Sequence, residues 1–351
     1  MRRSNGDDEA AGEDAVTGAN NGTIHRLGHE AIHTYFDNSL PAALTIAPGD
    51  TVIFATMEPS RGRVARGFIA AEYPEVAPDL AAMIAASARP EVPTALGGHA
   101  LTGPVAITGA EPGDALDVTV VAVEPALWGW NGVGPQNPLV GDLIPVGETY
   151  FWDLRARDYA PFGPDIRIPL APFCGVMGVT PAEAGLHATP PPRRSGGNMD
   201  VRQLTAGAVL TLPVLAPGAL FSTGDAHAAQ GDGEVSGTAI ECDAVVTLRF
   251  DLRKGAAPNW PEFRTAGPLA PRTDTGPHFA ATGHDTDPRA AARAALIGVL
   301  DYLGREHSLS RGRACLLASA CVDLRISQVV NAGTWTVTAF LPLSIFVGPH
   351  V

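Results

Sequence analysis

Residues 101–125 read LTGPVAITGAEPGDALDVTVVAVEP, two apolar runs separated by the turn sequence AEPGD. Apolar runs bounded by Pro, Gly and Asp are typical of short β-strands joined by tight turns. The same arrangement occurs earlier, where APGD at 47–50 separates AALTI from TVIF. The 39 glycines and 31 prolines are spread over the chain, above the average frequency but short of low complexity. The sequence therefore predicts a β-rich fold.

The pattern changes beyond residue 255, where helices are predicted. Residues 287–307, DPRAAARAALIGVLDYLGREH, predict an amphipathic helix with Asp287 as N-cap and Pro288 in its first turn. A second helix is predicted from Arg311 to Val322, and TWTVTAFLPLSIF at 334–346 predicts a closing strand. Strands followed by helices and returning strands indicate α+β organisation around a large antiparallel β core.

The chain divides into three predicted parts. Residues 1–22 are polar and acidic and predict a disordered tail, residues 23–255 a β-rich body, and residues 256–351 an α+β portion packed on that body. Within the body, PDLAAMIAASA predicts a short helix near Asp79, whereas the Trp-, Gly- and Pro-rich stretch 128–165 shows no regular pattern.

Charge and composition exclude several classes of function. The formal charge of −13 opposes binding to phosphate backbones and anionic lipid, so neither nucleic acid nor membrane is an expected partner. No stretch approaches the about 18–20 uncharged apolar residues of a membrane span. The N-terminus has no apolar segment behind its two arginines, and the cysteines show no CxxC spacing. These features predict a cytoplasmic protein with four reduced thiols, Cys174, Cys242, Cys315 and Cys321.

The densest group of polar residues lies between 196 and 241. The strings GGNMD, GDAHAAQGDGE and GTAIE contribute Asn198, Asp200, Asp225, His227, Gln230, Asp232, Glu234 and Glu241. Asp225 and His227 are two residues apart, which on an extended segment puts both side chains on one face, where they could bind one metal ion. An imidazole among carboxylates favours zinc or another divalent cation over copper or an iron–sulfur cluster. The alternative is that these residues only cap turns.

The remaining histidines are weaker candidates. His99 lies in a Gly-rich turn before a strand, a usual position for an active-site side chain, although a single loop histidine is more often a surface residue. His25, His29 and His33 recur every four residues, but their surroundings predict strand and turn rather than helix. A pairing of His33 with Asp37 stays open beside the alternative of an ordinary half-buried histidine.

Cys174 in PFCGVMG is a candidate nucleophile. Its alternative is a buried structural thiol, and Lys254, the only lysine, lies in a turn where it cannot serve a Cys–Glu–Lys or Ser–Ser–Lys amidase arrangement. The sequence also has no G-x-S-x-G elbow, Walker A loop, dinucleotide-binding G-x-G-x-x-G or H-E-x-x-H motif. Nucleotide cofactors are therefore not expected.

Four long strings carry a family resemblance. GGHALTGPVAITGAEPGDAL at 97–116, IPLAPFCGVMGVTPAEAG at 168–185, PPRRSGGNMDVRQL at 191–204 and GALFSTGDAHAAQGDGEVSGTAIE at 218–241 closely resemble the acetamidase/formamidase family of amide hydrolases. The resemblance covers roughly residues 24–345. It implies a mainly β fold whose body is a β-sandwich or barrel with jelly-roll-like parts, and homo-oligomers, dimeric or larger. Residues 61–89 and 126–160 do not match clearly and are expected to line the pocket.

The resemblance and the polar cluster together give a hypothesis for function. We expect hydrolysis of a small linear carboxamide to carboxylate and ammonia by metal-activated water, with zinc as the expected ion and calcium as the alternative. The hypothesis assigns Asp225, His227, Asp200 and His99 to the metal, Glu234 or Glu241 as general base, Asn198 to the substrate carbonyl or oxyanion, and Gly196, Gly197 and Gln230 to substrate binding.

Three alternatives stay open at this stage. The same scaffold could hydrolyse a γ-lactam or a larger amide. The acidic cluster could instead bind a metal that only staples loops in a non-catalytic binding protein. The third alternative is a thiol amidase that uses Cys174.

Overall fold

A computed structural model of the 351-residue chain describes residues 22–270 and 272–347. The predicted acidic tail, residues 1–22, lies outside the described residues except for its last residue. None of the helices in the described ranges is long and apolar enough to cross a membrane.

The elements follow the predicted order of strands first and helices late. The strands are β1 Ile24–Leu27, β2 Ile32–His33, β3 Tyr35–Phe36, β4 Leu44–Ile46, β5 Thr51–Thr56, β6 Leu101–Ile107, β7 Ala115–Pro125, β8 Trp128–Val133, β9 Glu148–Asp153, β10 Tyr159–Pro161, β11 Arg167–Pro169, β12 Phe173–Gly178, β13 His187–Ala188, β14 Gly196–Asn198, β15 Val209–Pro213, β16 Phe221–His227, β17 Glu241–Cys242, β18 Ala244–Arg253, β19 Glu262–Arg264, β20 His278–Asp285, β21 Asp323–Gln328 and β22 Trp335–Pro342. The α-helices are α1 Arg63–Gly67, α2 Pro78–Ala86, α3 Pro288–His307 and α4 Arg311–Cys321.

Two large sheets form the body. The first has the order β1-β5-β18-β7-β15-β19, and the second runs β14-β12-β16-β17-β8-β9, with β6 pairing β16, β2 and β4. Phe54 on β5 and Phe250 on β18 face Phe221 on β16, with ring centroids 6.2 and 5.0 Å from the Phe221 ring, respectively. All three rings are fully buried. The two sheets therefore pack face to face around an aromatic core, as in a β-sandwich.

The C-terminal part adds a three-stranded sheet, β20-β22-β21, on which α3 packs. Asp287 caps α3 by accepting a hydrogen bond from the backbone N–H of Arg289 at 3.0 Å, which confirms the predicted helix start. A buried ion pair between Arg202 and Asp323 connects this part to the body, and Asp323 also accepts the backbone N–H of Asp232 at 3.1 Å. The fold is thus mainly β with α+β elements, as predicted.

The stretch 128–165 is more regular than its sequence indicates. It contains the antiparallel pair β8–β9, whose apolar alternation is hidden by glycines and tryptophans. Gly129 is required there, because a Cβ on it would lie 2.7 Å from the carbonyl oxygen of Glu241. Leu80 and Ile84 of α2 pack against Trp128, Trp130 and Phe151, so the helical segment covers this hairpin.

Candidate functional site

Adjacent strands of the second sheet position the predicted site. Asp225 and His227 lie near the end of β16, and the paired strand β12 passes opposite them with Gly175. Asp200 follows β14 on the other side of β12. Asp225, Asp200 and Glu234 all have positive φ, at 56°, 51° and 44°. Non-glycine residues in this region cost about 1–3 kcal/mol each, and such strain concentrates at functional sites.

His227 is the centre of two groups of potential metal ligands. Its Nε2 lies 3.1 Å from Glu241 Oε2 and 3.5 Å from Asp225 Oδ2. The ligand atoms of Asp225, His227 and Glu241 all lie within 4.8 Å of one another, as do those of Asp200, His227 and Glu234. The first group is buried, at 3, 0 and 2% exposure. His99 reaches the first group from the loop before β6, with its Nε2 3.8 Å from Asp225 Oδ2.

The donor atoms of the first group are orphaned. His227 Nε2, Asp225 Oδ1 and Glu241 Oε2 are buried and form no hydrogen bond of acceptable geometry with the described residues, although Nε2 and Oε2 lie 3.1 Å from each other. Buried polar atoms are normally paired, so an unpartnered atom on each of these three neighbouring residues indicates that a further group belongs among them. Nitrogen and carboxylate oxygens are the ligands that zinc and similar divalent cations take. The residues present therefore fit a divalent cation.

Gly175 keeps the space in front of these atoms open. A Cβ on this residue would lie 2.6 Å from Asp200 Oδ1, 2.6 Å from Asp225 Oδ2 and 2.8 Å from His227 Cε1. The strand β12 thus passes the cluster with no side chain, and the ligand atoms can approach one another.

The electrostatics of the cluster also favour a cation. Burial and neighbouring carboxylates raise the pKa of Asp200 to about 7 and that of Glu234 to about 9. Burial likewise raises the pKa of Glu241 to about 7. Burial opposes ionisation of Asp225, but His99 and His227 hold its pKa at about 2. A bound cation would stabilise the ionised forms of Asp200, Glu234 and Glu241, which their surroundings disfavour.

His227 experiences the same field. Burial disfavours its charged form, but Glu241 and Asp225 raise the pKa of His227 well above its usual value. The carboxylates that favour a proton at Nε2 would favour a divalent cation at that position equally.

Gln230 fixes the orientation of His227. Its Nε2 donates to the carbonyl oxygen of Asp200 at 3.0 Å, so its Oε1 faces His227 Nδ1 at 2.9 Å and must accept a proton from it. The Nδ1–H tautomer leaves Nε2 free for a metal ion. Gln230 therefore acts through His227; the sequence hypothesis assigns it to substrate binding.

Substituting Gln230 by leucine tests this arrangement. Loss of the acceptor for Nδ1–H is expected to weaken zinc binding about 10–100-fold, the usual effect of removing such a partner. Isothermal titration of the metal-depleted variant with zinc measures the change, and Gln230→Glu, which keeps the acceptor, is the comparison. Unchanged zinc affinity in Gln230→Leu would show that the orientation of His227 does not depend on this contact.

A cavity of about 260 Å³ opens onto the cluster. It is lined by Pro59, Ser60, Arg61, Arg63, Gly98, His99, Trp130, Asn198, Asp200, Asp225, Glu234, Gly237, Thr238 and Glu241. Both segments that the sequence leaves unmatched reach it, through Arg61 and Arg63 and through Trp130. Its volume is below the range of pockets for drug-sized ligands, which suits a small substrate. A larger cavity of about 510 Å³, beside Tyr150 and Phe346, contains none of the cluster residues.

Glu58 holds one wall of this cavity in place, a role that the sequence pattern does not indicate. It is buried, and its carboxylate accepts hydrogen bonds from the Ser60 hydroxyl and the Gly62 backbone N–H at 2.7 Å, and from Trp130 Nε1 at 3.1 Å. Burial nevertheless raises its pKa. Glu58 thereby fixes the loop that carries Ser60 and Arg61, together with the Trp130 ring, as one wall of the cavity.

Other predicted residues lie apart from the cluster or have structural contacts. Gly196 and Gly197 pair with β12 and are not among the residues that line the cavity. Asp232 accepts from Gln203 Nε2 at 3.1 Å. Asn198 lines the cavity, but its Nδ2 donates to the carbonyl oxygen of Pro190 at 3.1 Å.

His33 has a structural role and does not pair with Asp37. Its Nδ1 lies 2.7 Å from the carbonyl oxygen of Tyr35, and its Nε2 lies 2.9 Å from the Ser222 hydroxyl. Asp37 instead accepts both the backbone N–H and the hydroxyl of Ser39 at 2.8 Å. The ordinary half-buried histidine is therefore the correct interpretation.

Cys174 is a core residue. It is 2% exposed within the main hydrophobic cluster, and burial raises the pKa of its thiol to about 11. A neutral thiol with no access to the cavity is a poor nucleophile. The geometry therefore does not support the thiol-amidase alternative. Cys242, Cys315 and Cys321 are also free and buried.

Comparison with known proteins identifies the family of the chain. The model of the Acetamidase/Formamidase family matches residues 25–189 and 183–347, and the chain belongs to that family. Its relatives include a formamidase from Methylophilus methylotrophus, 25% identical over 90% of this chain and 89% of the relative. An acetamidase from Mycolicibacterium smegmatis is 27% identical over 64% of this chain and 66% of the relative.

Solved structures share the fold. A gamma lactamase from Delftia acidovorans superposes with a TM-score of 0.75 at 24% identity, covering 90% of this chain and 89% of that one. An acetamidase from Bacillus halodurans gives a TM-score of 0.57 at 25% identity, covering 91% and 97%. The overall fold is thus shared with these proteins.

Proposed function

We propose that the chain hydrolyses small linear carboxamides to a carboxylate and ammonia, and that Asp225, His227 and Glu241 hold a divalent cation for this reaction. The observation that carries the proposal is that the ligand atoms of these three buried residues lie within 4.8 Å of one another, beside a cavity that Asp225 and Glu241 line. The formamidase and acetamidase relatives act on amides by name, and the small volume of the cavity suits a short acyl group.

A divalent cation held there would polarise the substrate carbonyl and lower the pKa of a water molecule. The mixed nitrogen and oxygen donor set favours zinc, and calcium is the alternative because carboxylates predominate. Asp200 and His99 are proposed as further donors at the edge of the group, since His99 lies 3.8 Å from Asp225 and Asp200 belongs to the second group around His227.

Of the two candidate bases, Glu234 is the better one. Glu241 is fixed by the backbone N–H of Ala239 at 2.8 Å and lies beside His227, which suits a ligand. Glu234 lines the cavity, and a cation held beside it would counter the burial and the Asp200 carboxylate that raise its pKa, so that the carboxylate could accept a proton. Glu234 would remove a proton from the attacking water and return it to the departing nitrogen.

The test is ammonia release from formamide, acetamide, propionamide and a γ-lactam. Metal-depleted protein is assayed alone and after addition of zinc or calcium. Metal-restored turnover of the linear amides is the expected result, and preference for the γ-lactam would favour the cyclic-amide alternative. A metal-dependent melting temperature without turnover of any amide would instead favour a non-catalytic, metal-stapled binding protein.

Two properties of the protein in the cell complete the proposal. Four buried free thiols suit a reducing compartment such as the cytoplasm. We also propose a homo-oligomer, which the resemblance to the acetamidase/formamidase family implies.

A further inference from the structure

Asn198 combines an unpartnered acceptor with a place in the cavity wall. It ends β14, where its backbone is paired with Val176 of β12, and it is one of the residues that line the cavity. Its Nδ2 lies 3.1 Å from the carbonyl oxygen of Pro190. A carbonyl oxygen can only accept, so the amide nitrogen must face Pro190 and Oδ1 must be the other, free atom.

The free Oδ1 has no partner in the part of the chain that the structure describes. The atom is buried, and a buried acceptor without a donor is unfavourable unless a ligand or water supplies one. An acceptor cannot stabilise a developing oxyanion. The polarity of the side chain therefore points to a ligand that donates a hydrogen bond.

Three other residues that line the cavity have their donors engaged within the protein. Trp130 Nε1 donates to Glu58, the Thr238 hydroxyl donates to the carbonyl oxygen of Gly132, and Arg61 donates to Val92 and Gly98. These donors are thus engaged within the protein, whereas Asn198 Oδ1 is an unengaged neutral acceptor. A primary carboxamide carries two N–H donors, and both need acceptors in a buried site.

We propose that Asn198 Oδ1 accepts an N–H of the substrate carboxamide and so orients the leaving nitrogen. The inference rests on the proposed amide hydrolysis. In that reaction water oxygen bonds to the carbonyl carbon, the C–N bond breaks with its electron pair going to nitrogen, and nitrogen gains a proton to leave as ammonia. Its N–H groups become stronger donors as it is protonated, so the contact strengthens towards the transition state.

The segment that carries Pro190 also orients His99, which is proposed above as a further metal ligand. The Thr189 hydroxyl accepts the backbone N–H of His99 at 2.8 Å and lies 3.0 Å from its Nδ1. The consecutive residues Thr189 and Pro190 thus fix two side chains. Thr189 holds His99 near the cation group, and Pro190 holds Asn198 beside the proposed position of the leaving nitrogen. This arrangement orients the substrate amide within the cavity.

The experiment compares an amide with an ester that has the same acyl group. The values of kcat/KM for formamide and methyl formate are measured for zinc-loaded wild type, Asn198→Ala and Asn198→Asp. The ester has no N–H, so loss of the acceptor in Asn198→Ala is expected to lower the amide-to-ester ratio about 10-fold. Asn198→Asp keeps an oxygen acceptor and should hold the ratio closer to wild type.

The amide-to-ester ratio of kcat/KM distinguishes binding of the substrate N–H by Asn198 from a general loss of activity. Damage to the fold, the cation group or carbonyl activation affects both substrates and cancels, so equal losses would overturn the inference. Asn38, which tethers a remote loop through three backbone carbonyls, gives the matched control Asn38→Ala, and its ratio should equal that of wild type. If methyl formate is not turned over, its inhibition constant against formamide replaces its kcat/KM. A wild type inactive on all amides would refute the proposed function itself.

Discussion

Substitution of His227 by alanine is expected to abolish metal binding and amide turnover together. His227 belongs to both potential ligand groups, so its loss leaves neither group with a nitrogen donor. Polarisation of the carbonyl by a cation contributes several kcal/mol, and loss of about 4 kcal/mol corresponds to about a 1000-fold fall in kcat/KM. Ammonia release and the zinc content of the purified variant measure the two effects in parallel.

The same substitution should make the free energy of unfolding independent of zinc. Zinc at about 100 times its dissociation constant is expected to add about 2.7 kcal/mol to the free energy of unfolding of wild type, and none to that of His227→Ala. His284, an exposed histidine on β20 that bonds Thr336, provides the control variant His284→Ala, which should behave as wild type. Normal turnover in His227→Ala would defeat the assignment of the whole site.

Local sequence patterns predict some of the elements but not all of them, and they do not predict all of the partners. The capping pattern of Asp287 and Pro288 predicts the start of α3 correctly, and Asp225 and His227 lie on β16, the kind of extended segment on which their spacing puts both side chains on one face. Both features depend on residues only a few positions apart. The β8–β9 pair was missed, because its long connection and its glycines conceal the alternation of period two.

Contacts between distant segments account for what the sequence could not reveal about the site. Glu58 reads as an ordinary charged residue before a turn, yet the fold buries it under Trp130, 72 positions away. The same holds for the hydrogen bond of Gln230 to the carbonyl of Asp200, which lies 30 positions upstream. Hydrogen-bond direction depends on which groups the fold brings together, and no spacing rule encodes it.

Gly175 is the clearest example of a contact between distant segments of the chain. It lies inside β12 at a φ that L-residues adopt, so alanine is compatible with the backbone there. The added methyl group would occupy the space within 2.6 Å of both Asp200 Oδ1 and Asp225 Oδ2. Gly175→Ala is therefore expected to separate the ligand atoms and to lower zinc affinity and kcat/KM by at least about 100-fold.

The control for this substitution is another glycine-to-alanine change. Gly276 has open space around its Cβ position and no left-handed φ, so Gly276→Ala should keep both zinc affinity and turnover. Circular dichroism of metal-depleted Gly175→Ala should match that of wild type, because no main-chain hydrogen bond is lost. If Gly175→Ala were folded and fully active, the space in front of β12 could not be the position of the cation, and Asp225 and His227 would have to act through a different geometry.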